Sequence, residues 1–298
     1  MRFVSLVLLF LTLDAVAQIR PFQTTRLHST SGTGVASMLV TESAVLNPAP
    51  LAFFADTFIS YQNTKTDIRS ESEDREADDR EFPGGNRSEG YFLFDNASSL
   101  KGGFSYQTQR ENGFNRKRGT ATMAAPIGQN MSYGILYRYT QDSRPEWYGT
   151  SRHKVSHPFT MGLTWIPMTK LTFGVVWDDP TRAIKGESRA IAGVQYNLTG
   201  DLIAMADAGG DPTVDFYDKR LWRAALQYNL FSDIFLRAGK FQDRALNLEG
   251  ESWGFSWTGP KLGIDFAMKN SSQIRSETGY LYKDENLRDV SFTLSVRI

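Results

Sequence analysis

YNLTGDLIAMAD, residues 196–207, and YNLFSDIFLRAG, residues 228–239, share one frame. Each opens on Tyr-Asn-Leu, passes a short polar kink to an Asp, and starts a new apolar alternation. Related phrases are WIPMTKLTFGVVW from Trp165, WTGPKLGIDFAMK from Trp257 and APIGQNMSYGILYRY from Ala125. The starts at Trp165, Tyr196, Tyr228 and Trp257 fall about thirty residues apart, the length of two ten-residue strands with one tight and one longer connection. The repeat therefore reads as a hairpin used many times.

Inside each phrase the alternation has period two, which specifies strands. Leu171, Phe173, Val175 and Trp177 share one face, opposite Thr172 and Gly174. Trp222, Ala224, Leu226 and Tyr228 oppose Arg223, Ala225 and Gln227. Leu262, Ile264, Phe266 and Met268 oppose Gly263, Asp265, Ala267 and Lys269, and Phe292, Leu294, Val296 and Ile298 oppose Thr293, Ser295 and Arg297.

Extending the pattern gives about fourteen strands, a count within the range of membrane barrels. They are expected near 52–62, 89–96, 100–110, 117–126, 130–140, 156–165, 169–178, 187–197, 201–209, 217–229, 233–241, 250–257, 261–269 and 288–298. Tight turns are expected near 97–99, 127–129, 166–168, 198–200, 230–232 and 258–260. Longer polar connections are expected at 63–88, 141–155, 208–216 and 270–287. The fold expected is all-β: a transmembrane antiparallel β-barrel with a short N-terminal plug-like segment. Lipid cannot hydrogen-bond a strand edge, so a membrane sheet must close on itself. A soluble β-sandwich also alternates, but it has no reason to place aromatics at strand tips. Trp165, Tyr196, Tyr228 and Trp257 sit beside the short turns and form an expected periplasmic aromatic girdle.

Composition sets outer limits. The 298 residues carry 33 basic and 33 acidic side chains, so no basic excess invites nucleic acid. Cysteine is absent, which excludes disulfides and Cys-based metal sites or nucleophiles. MRFVSLVLLFLTLDAVAQ has a basic residue, an apolar run too short to span a bilayer, and a small-x-small end at Ala15-Val16-Ala17. The expected organisation is a signal peptide at 1–17, an N-terminal periplasmic or plug segment at 18–51, and the barrel at 52–298 in a bacterial outer membrane.

GTGVASMLVTESAVLNPAPLAFF, residues 32–54, precedes the first expected strand. It resembles the N-terminal signature of the long-chain fatty-acid transporter (FadL-like) and PorV-like outer-membrane barrels. Those carry a small-residue-rich stretch and then an Asn-Pro-Ala-Gly-like turn. The match lies on Gly34, Ala36, Ser43, Ala44, Asn47, Pro48, Ala49, Leu51 and Ala52, and Pro50 stands where the family usually has Gly. The resemblance implies a segment within or beneath the barrel that can block the lumen. It also implies passage or binding of small or hydrophobic molecules such as lipids and fatty acids. A looser resemblance, to porin-like barrels of predatory bacteria, implies a homo-oligomer that encloses lipid without conducting.

The lumen-facing candidates are Gln107, Arg138, Gln195, Arg223, Gln227, Arg237, Asp265, Lys269 and Arg297. Their basic surplus would favour anions in an open pore. Alternatively they pair with one another or with the N-terminal segment and close it. Outward Ala190, Ala192, Val194 and Ala224 hint at an arc for subunit contact. Residues 64–89 carry nine acids and five bases and read as a solvated outer loop or a contact for divalent cations or lipopolysaccharide. Expected partners are membrane lipid or lipopolysaccharide and, in one reading, further copies of the chain. No cofactor, metal site or catalytic residue is expected. An outer-membrane lipid hydrolase would need a His–Ser pair, and Ser156–His157 is the one candidate for that minor reading.

Overall fold

The computed structural model describes residues 19–70, 86–95, 101–111, 114–145, 151–212, 219–274 and 285–298. The expected signal peptide at 1–17 lies outside the described residues, as does the middle of the acidic stretch, 71–85.

Fifteen strand segments form one sheet. They are β1 (Phe58–Ser70), β2 (Asn86–Asp95), β3 (Lys101–Glu111), β4 (Phe114–Ile127), β5 (Met131–Pro145), β6 (Ser151–Ser156), β7 (Phe159–Met168) and β8 (Leu171–Asp178). β9 (Arg189–Asn197), β10 (Leu202–Gly210), β11 (Leu221–Phe231), β12 (Ile234–Asp243), β13 (Leu248–Thr258), β14 (Leu262–Gln273) and β15 (Glu285–Arg297) complete it. Neighbours in sequence pair antiparallel around the sheet, apart from the interrupted strand described next. β1 pairs with β15 from Phe58↔Arg297 to Ser70↔Glu285, which closes the barrel and leaves no edge.

β6 and β7 are two halves of one barrel strand. β5 pairs with β7 over Met131–Tyr137 and with β6 over Thr140–Pro145. The break falls at His157–Pro158, because proline has no N–H for the ladder. The Pro158 carbonyl still accepts from the Arg138 amide at 2.9 Å. The closed barrel therefore has fourteen staves.

Three expectations about strand ends are corrected. The first strand begins at Phe58, not 52, because Ala49–Phe53 forms a 3-10 turn behind Pro48. The apolar residues 51–54 imitate alternation but serve packing. The expected loop 141–155 is largely ladder, with β5 continuing to Pro145 and β6 starting at Ser151. The charged stretch 64–89 is also strand at both ends, where Thr64 and Thr66 belong to β1 and 86–89 to β2.

The protein is apolar outside and polar inside. Phe104, Met123, Trp165, Val175, Leu226, Trp253 and Phe292 are exposed on the outer wall, as a surface facing lipid requires. Buried positions inside include Gln62, Gln107, Arg118, Thr140, Asp207, Asp265 and Lys269. Among the described residues, two buried apolar clusters join the N-terminal segment to the wall. One joins Phe22, Ala44 and Leu51 of the N-terminal segment to Phe92, Phe94 and Ala124 of the wall. The other joins Val35 to Val176, Ile191 and Leu221.

Candidate functional site

Residues 19–54 occupy the lumen, and their backbone groups bond partly to one another and partly to side chains of the barrel wall. The segment includes α1 (Thr25–Ser29) and two 3-10 turns, Thr41–Ala44 and Ala49–Phe53. Thr24 caps α1, its hydroxyl accepting from the Leu27 amide at 3.2 Å. So short a helix is marginal on its own, and β1 and β15 hold it. Thr25 donates its amide to Gln62 at 2.9 Å, and its hydroxyl lies 2.6 Å from Ser291 and 2.7 Å from Thr293.

Ion pairs anchor the segment along its length. Arg20 binds Glu111 at 2.6 Å and Asp289 at 2.9 Å, toward the rim opposite the start of β1 and the end of β15. Arg26 binds Asp265 at 2.9 Å. Arg223 donates to the Gly32 carbonyl at 2.9 Å, and Arg138 donates to the Val45 carbonyl at 3.0 Å. Asp207 accepts the amides of Gly34 at 2.8 Å and Val35 at 3.2 Å. A carboxylate aimed at two successive backbone N–H groups fixes the chain at that point.

Asn47 is the second anchor. Its amide donates to the Val35 carbonyl at 2.7 Å and to Thr164 at 3.1 Å, while its own oxygen accepts the Ala49 amide at 3.1 Å. Ser132 donates to the Ala49 carbonyl at 2.8 Å. Asn47-Pro48-Ala49 is thus tied to itself, to residue 35 and to two barrel strands.

A groove in the wall receives these residues. Gly134 pairs with Gly162 across β5 and β7, and Gly174 pairs with Gly193 across β8 and β9. A methyl group on Gly134 would lie 2.6 Å from the Pro48 carbonyl carbon. On Gly162 it would overlap the Asn47 side chain, and on Gly174 the Val35 carbonyl. On Gly193 it would overlap Asp207. These glycines serve by lacking volume, so that the backbone of the segment touches the backbone of the wall.

The lumen-facing candidates take different roles. Arg138, Arg223, Asp265 and Lys269 bind the N-terminal segment, Lys269 through Gln23 at 2.9 Å. Arg237 donates to Gln227 at 2.7 Å and to Ser256. Gln107 is buried and donates to Ser105 at 3.1 Å. Gln195 is half-buried. Arg297 is 48% exposed at the barrel rim, where it faces Asp56 at 3.5 Å. Of the N-terminal signature, Gly34 and Asn47 make the contacts above, Pro48 sits in the glycine groove, and Ser43 is buried. Trp165, Tyr196, Tyr228 and Trp257 are exposed outside, beside turns at the rim where β1 begins and β15 ends. Ser156 is buried on the inner face and His157 is exposed on the outer face. The pair therefore cannot act together. His157 is held by the Tyr137 hydroxyl at 2.7 Å.

Sequence reasoning missed Asp207, Gln62, Arg20 and the glycine groove. The signal for the groove was present, as inward glycines at similar depth in successive strands.

Two cavities flank the segment. A small one of about 50 Å³ lies on the far side, with Arg20, His28, Lys269 and Asp289 in its wall. A chamber of about 280 Å³ opens at the rim where β1 begins and β15 ends. Its walls include Met38, Leu39, Val40, Phe54, Phe58 and Phe235 together with Arg26, Arg237 and Asp265. Next to the small cavity the lumen carries ion pairs: Arg116 with Asp142 at 2.7 Å and Glu187 at 2.6 Å, and Arg189 with Asp243 at 2.5 Å.

His28 of α1 is buried, and its Nδ1 has no hydrogen-bond partner among the described residues. Burial pushes its pKa down to about 3, and Lys269 and Arg20 act in the same direction, against Asp289 at 3.9 Å. An unfolded histidine titrates near 6.5, so a released segment binds the proton more readily than a seated one. Seating is therefore unopposed by this group above about pH 6.5 and weakens as pH falls from there toward 3. Protease access to residues 25–30 should rise on acidification, with less of a rise in His28→Gln. Equal acid sensitivity in both would assign the effect to the carboxylates.

No family model matches the chain, and no curated protein matches it. Solved structures do. The CymD monoaromatic hydrocarbon channel aligns with a TM-score of 0.69 at 10% identity, over 91% of this chain and 96% of that one. The fold is that of the FadL-type channels. The Ralstonia pickettii toluene transporter TbuX aligns with a TM-score of 0.64 at 10% identity, over 93% of this chain and 98% of that one. A Pseudomonas aeruginosa FadL homologue gives 0.58 at 13% identity, over 94% and 98%. The FadL-type fold accounts for the fourteen staves with an N-terminal segment inside them.

Proposed function

We propose that the protein is an outer-membrane channel for small hydrophobic molecules, closed at rest by residues 19–54. The observation that carries this reading is the seated segment, with a cavity on either side and no wall side chain between Val35 and the backbone of Gly174. A barrel built only to stiffen a membrane needs no groove fitted to its own N-terminus. The similar channels supply the substrate class, monoaromatic hydrocarbons and related apolar molecules. The rim where β1 begins and β15 ends carries the tight strand connections and is assigned to the periplasm, so that the ion-paired end faces outward.

Proteoliposomes carrying the full chain should take up toluene-like probes faster than empty liposomes while showing no large steady ion conductance. A stable, wide ionic pore in the unaltered protein would sink the closed-lumen reading. Uptake equal to that of empty liposomes would remove the transport role.

A second reading is a homo-oligomer that encloses lipid. It draws on a flat outer face where Ala192 pairs with Ala208 and Ala206 pairs with Ala224, flanked by Ala190 and Ala204. Native mass in mild detergent separates the two, since a monomer with only a lipid belt favours the channel.

A further inference from the structure

A row of buried hydroxyls runs along the inner wall between the two cavities. On β15, Asp289, Ser291 and Thr293 recur at every second position, and all three are buried. Their ladder partners place Thr66 beside Asp289, Thr64 beside Ser291 and Asp265 beside Thr293. The Thr64 hydroxyl lies 2.7 Å from that of Ser291. Ser291 and Thr293 cannot bond each other directly, because positions two apart on a strand are separated by about 6.6 Å. Thr25 of α1 fills that gap. Its hydroxyl lies 2.6 Å from Ser291 and 2.7 Å from Thr293. Seating the N-terminal segment therefore joins four hydroxyls, those of Thr64, Ser291, Thr25 and Thr293, into one chain.

The chain has a cavity at each end. Thr64 lies in the wall of the small cavity with Thr66, His28 and Asp289. Thr293 lies in the wall of the larger chamber with Asp265 and Ser295. A water needs roughly 10–15 Å³, so the small cavity, at about 50 Å³, has space for several. Each hydroxyl has one proton to give and lone pairs to accept with, and either member of each pair can be the donor. Gln62 holds the chain in place. It accepts the Thr25 amide at 2.9 Å and donates to the Thr64 oxygen at 3.2 Å, whichever way the hydroxyls point.

We propose that the seated segment completes a proton wire, so that the closed barrel passes protons between its two cavities while holding back ions and hydrocarbons. The Thr64 oxygen takes a proton from water in the small cavity and gives its own to Ser291. Ser291 gives its own to Thr25, Thr25 to Thr293, and Thr293 releases its own to water in the chamber. One proton enters and one leaves, no C–O bond changes, and rotation of the four hydroxyls restores the first polarity. The reverse sequence carries a proton the other way, so the gradient sets the direction. Links of hydrogen-bond length leave no space for a hydrated ion. The proposal rests on the closed lumen and not on hydrocarbon passage.

The test uses the full chain in liposomes loaded with a pH-sensitive dye, with potassium and valinomycin to cancel the membrane potential. After an acid step the parent should equilibrate faster than empty liposomes, while single-channel openings stay rare. Thr25→Val keeps the shape of threonine and loses the hydroxyl. It should cut the protein-dependent proton flux roughly tenfold or more, with openings still rare. Thr25→Ser keeps the hydroxyl and should retain the flux. Ser291→Ala breaks the chain from the barrel side and should match Thr25→Val, which preserves the test if Thr25→Val fails to fold. Parent flux equal to that of empty liposomes would overturn the proposal, as would parent-level or raised flux in both Thr25→Val and Ser291→Ala. Normal proton flux with failed hydrocarbon uptake would overturn the channel and leave the wire standing, and normal uptake without proton flux would do the reverse.

Discussion

Gly174→Val should release the N-terminal segment and turn a closed barrel into a conducting one. The first atom of the new side chain would overlap the Val35 carbonyl, and the contact is with backbone, which has no rotamer to yield. β8 cannot retreat, because its ladders to β7 and β9 hold it on both sides. Overpacking of this kind costs roughly 3 kcal/mol or more when neither side relaxes. The segment is the part free to move, so the strain falls on its seating and spares the barrel. Gly162→Val should act in the same way through Asn47. Single-channel recording should show frequent long openings in both variants, against rare ones in the parent, while heat-modifiability on gels confirms an intact barrel. Gly119→Val is the control: nothing lies within 4 Å of its side-chain position, and its conductance should match the parent. Quiet traces from Gly162→Val and Gly174→Val, with intact barrels, would mean the groove does not govern closure.

The barrel was legible because lipid and lumen impose opposite polarity on alternate residues, a signal that every strand repeats. Phe173 outside and Thr172 inside need no tertiary knowledge to be assigned. Legibility failed where that two-sided constraint ends. Residues 51–54 are apolar like a strand entering lipid but end the lumen segment in a 3-10 turn, so the first strand begins six residues later than the sequence suggests. Toward the far rim, 141–145 and 151–155 remain paired although most of their side chains are polar, which in sequence alone reads as loop. The site was harder still. Arg223, Arg237 and Lys269 could be placed inside by parity, but their partners lie far away in sequence, as with Gln23 and Lys269. Asp207 looked like an ordinary strand residue, since its function depends on amides that carry no side-chain signal. The Asn47-Pro48 motif was visible, and its purpose became clear only with Gly134 and Gly162 opposite it.

Asp207→Ala should loosen the middle of the segment without changing its volume at the groove. Asp207 is buried and accepts two consecutive amides, those of Gly34 and Val35. Removing it strands both donors away from water, at roughly 1–3 kcal/mol each. Arg223 would lose a neighbouring carboxylate but keep the Gly32 carbonyl and Asp243 at 3.9 Å. A net loss of about 3 kcal/mol corresponds to roughly a hundredfold shift in the opening equilibrium. Hydrogen exchange at residues 32–37 should accelerate by that factor, while exchange at Thr25, held separately by Gln62, Ser291 and Thr293, stays slow. Asp207→Asn retains one acceptor oxygen and should fall between parent and Ala. This ordering separates anchoring from overlap, because the glycine variants should expose 34–35 and 47–48 together, whereas Asp207→Ala should free 32–37 first. Unchanged exchange in Asp207→Ala would show that Asn47 and the glycine groove hold the segment unaided.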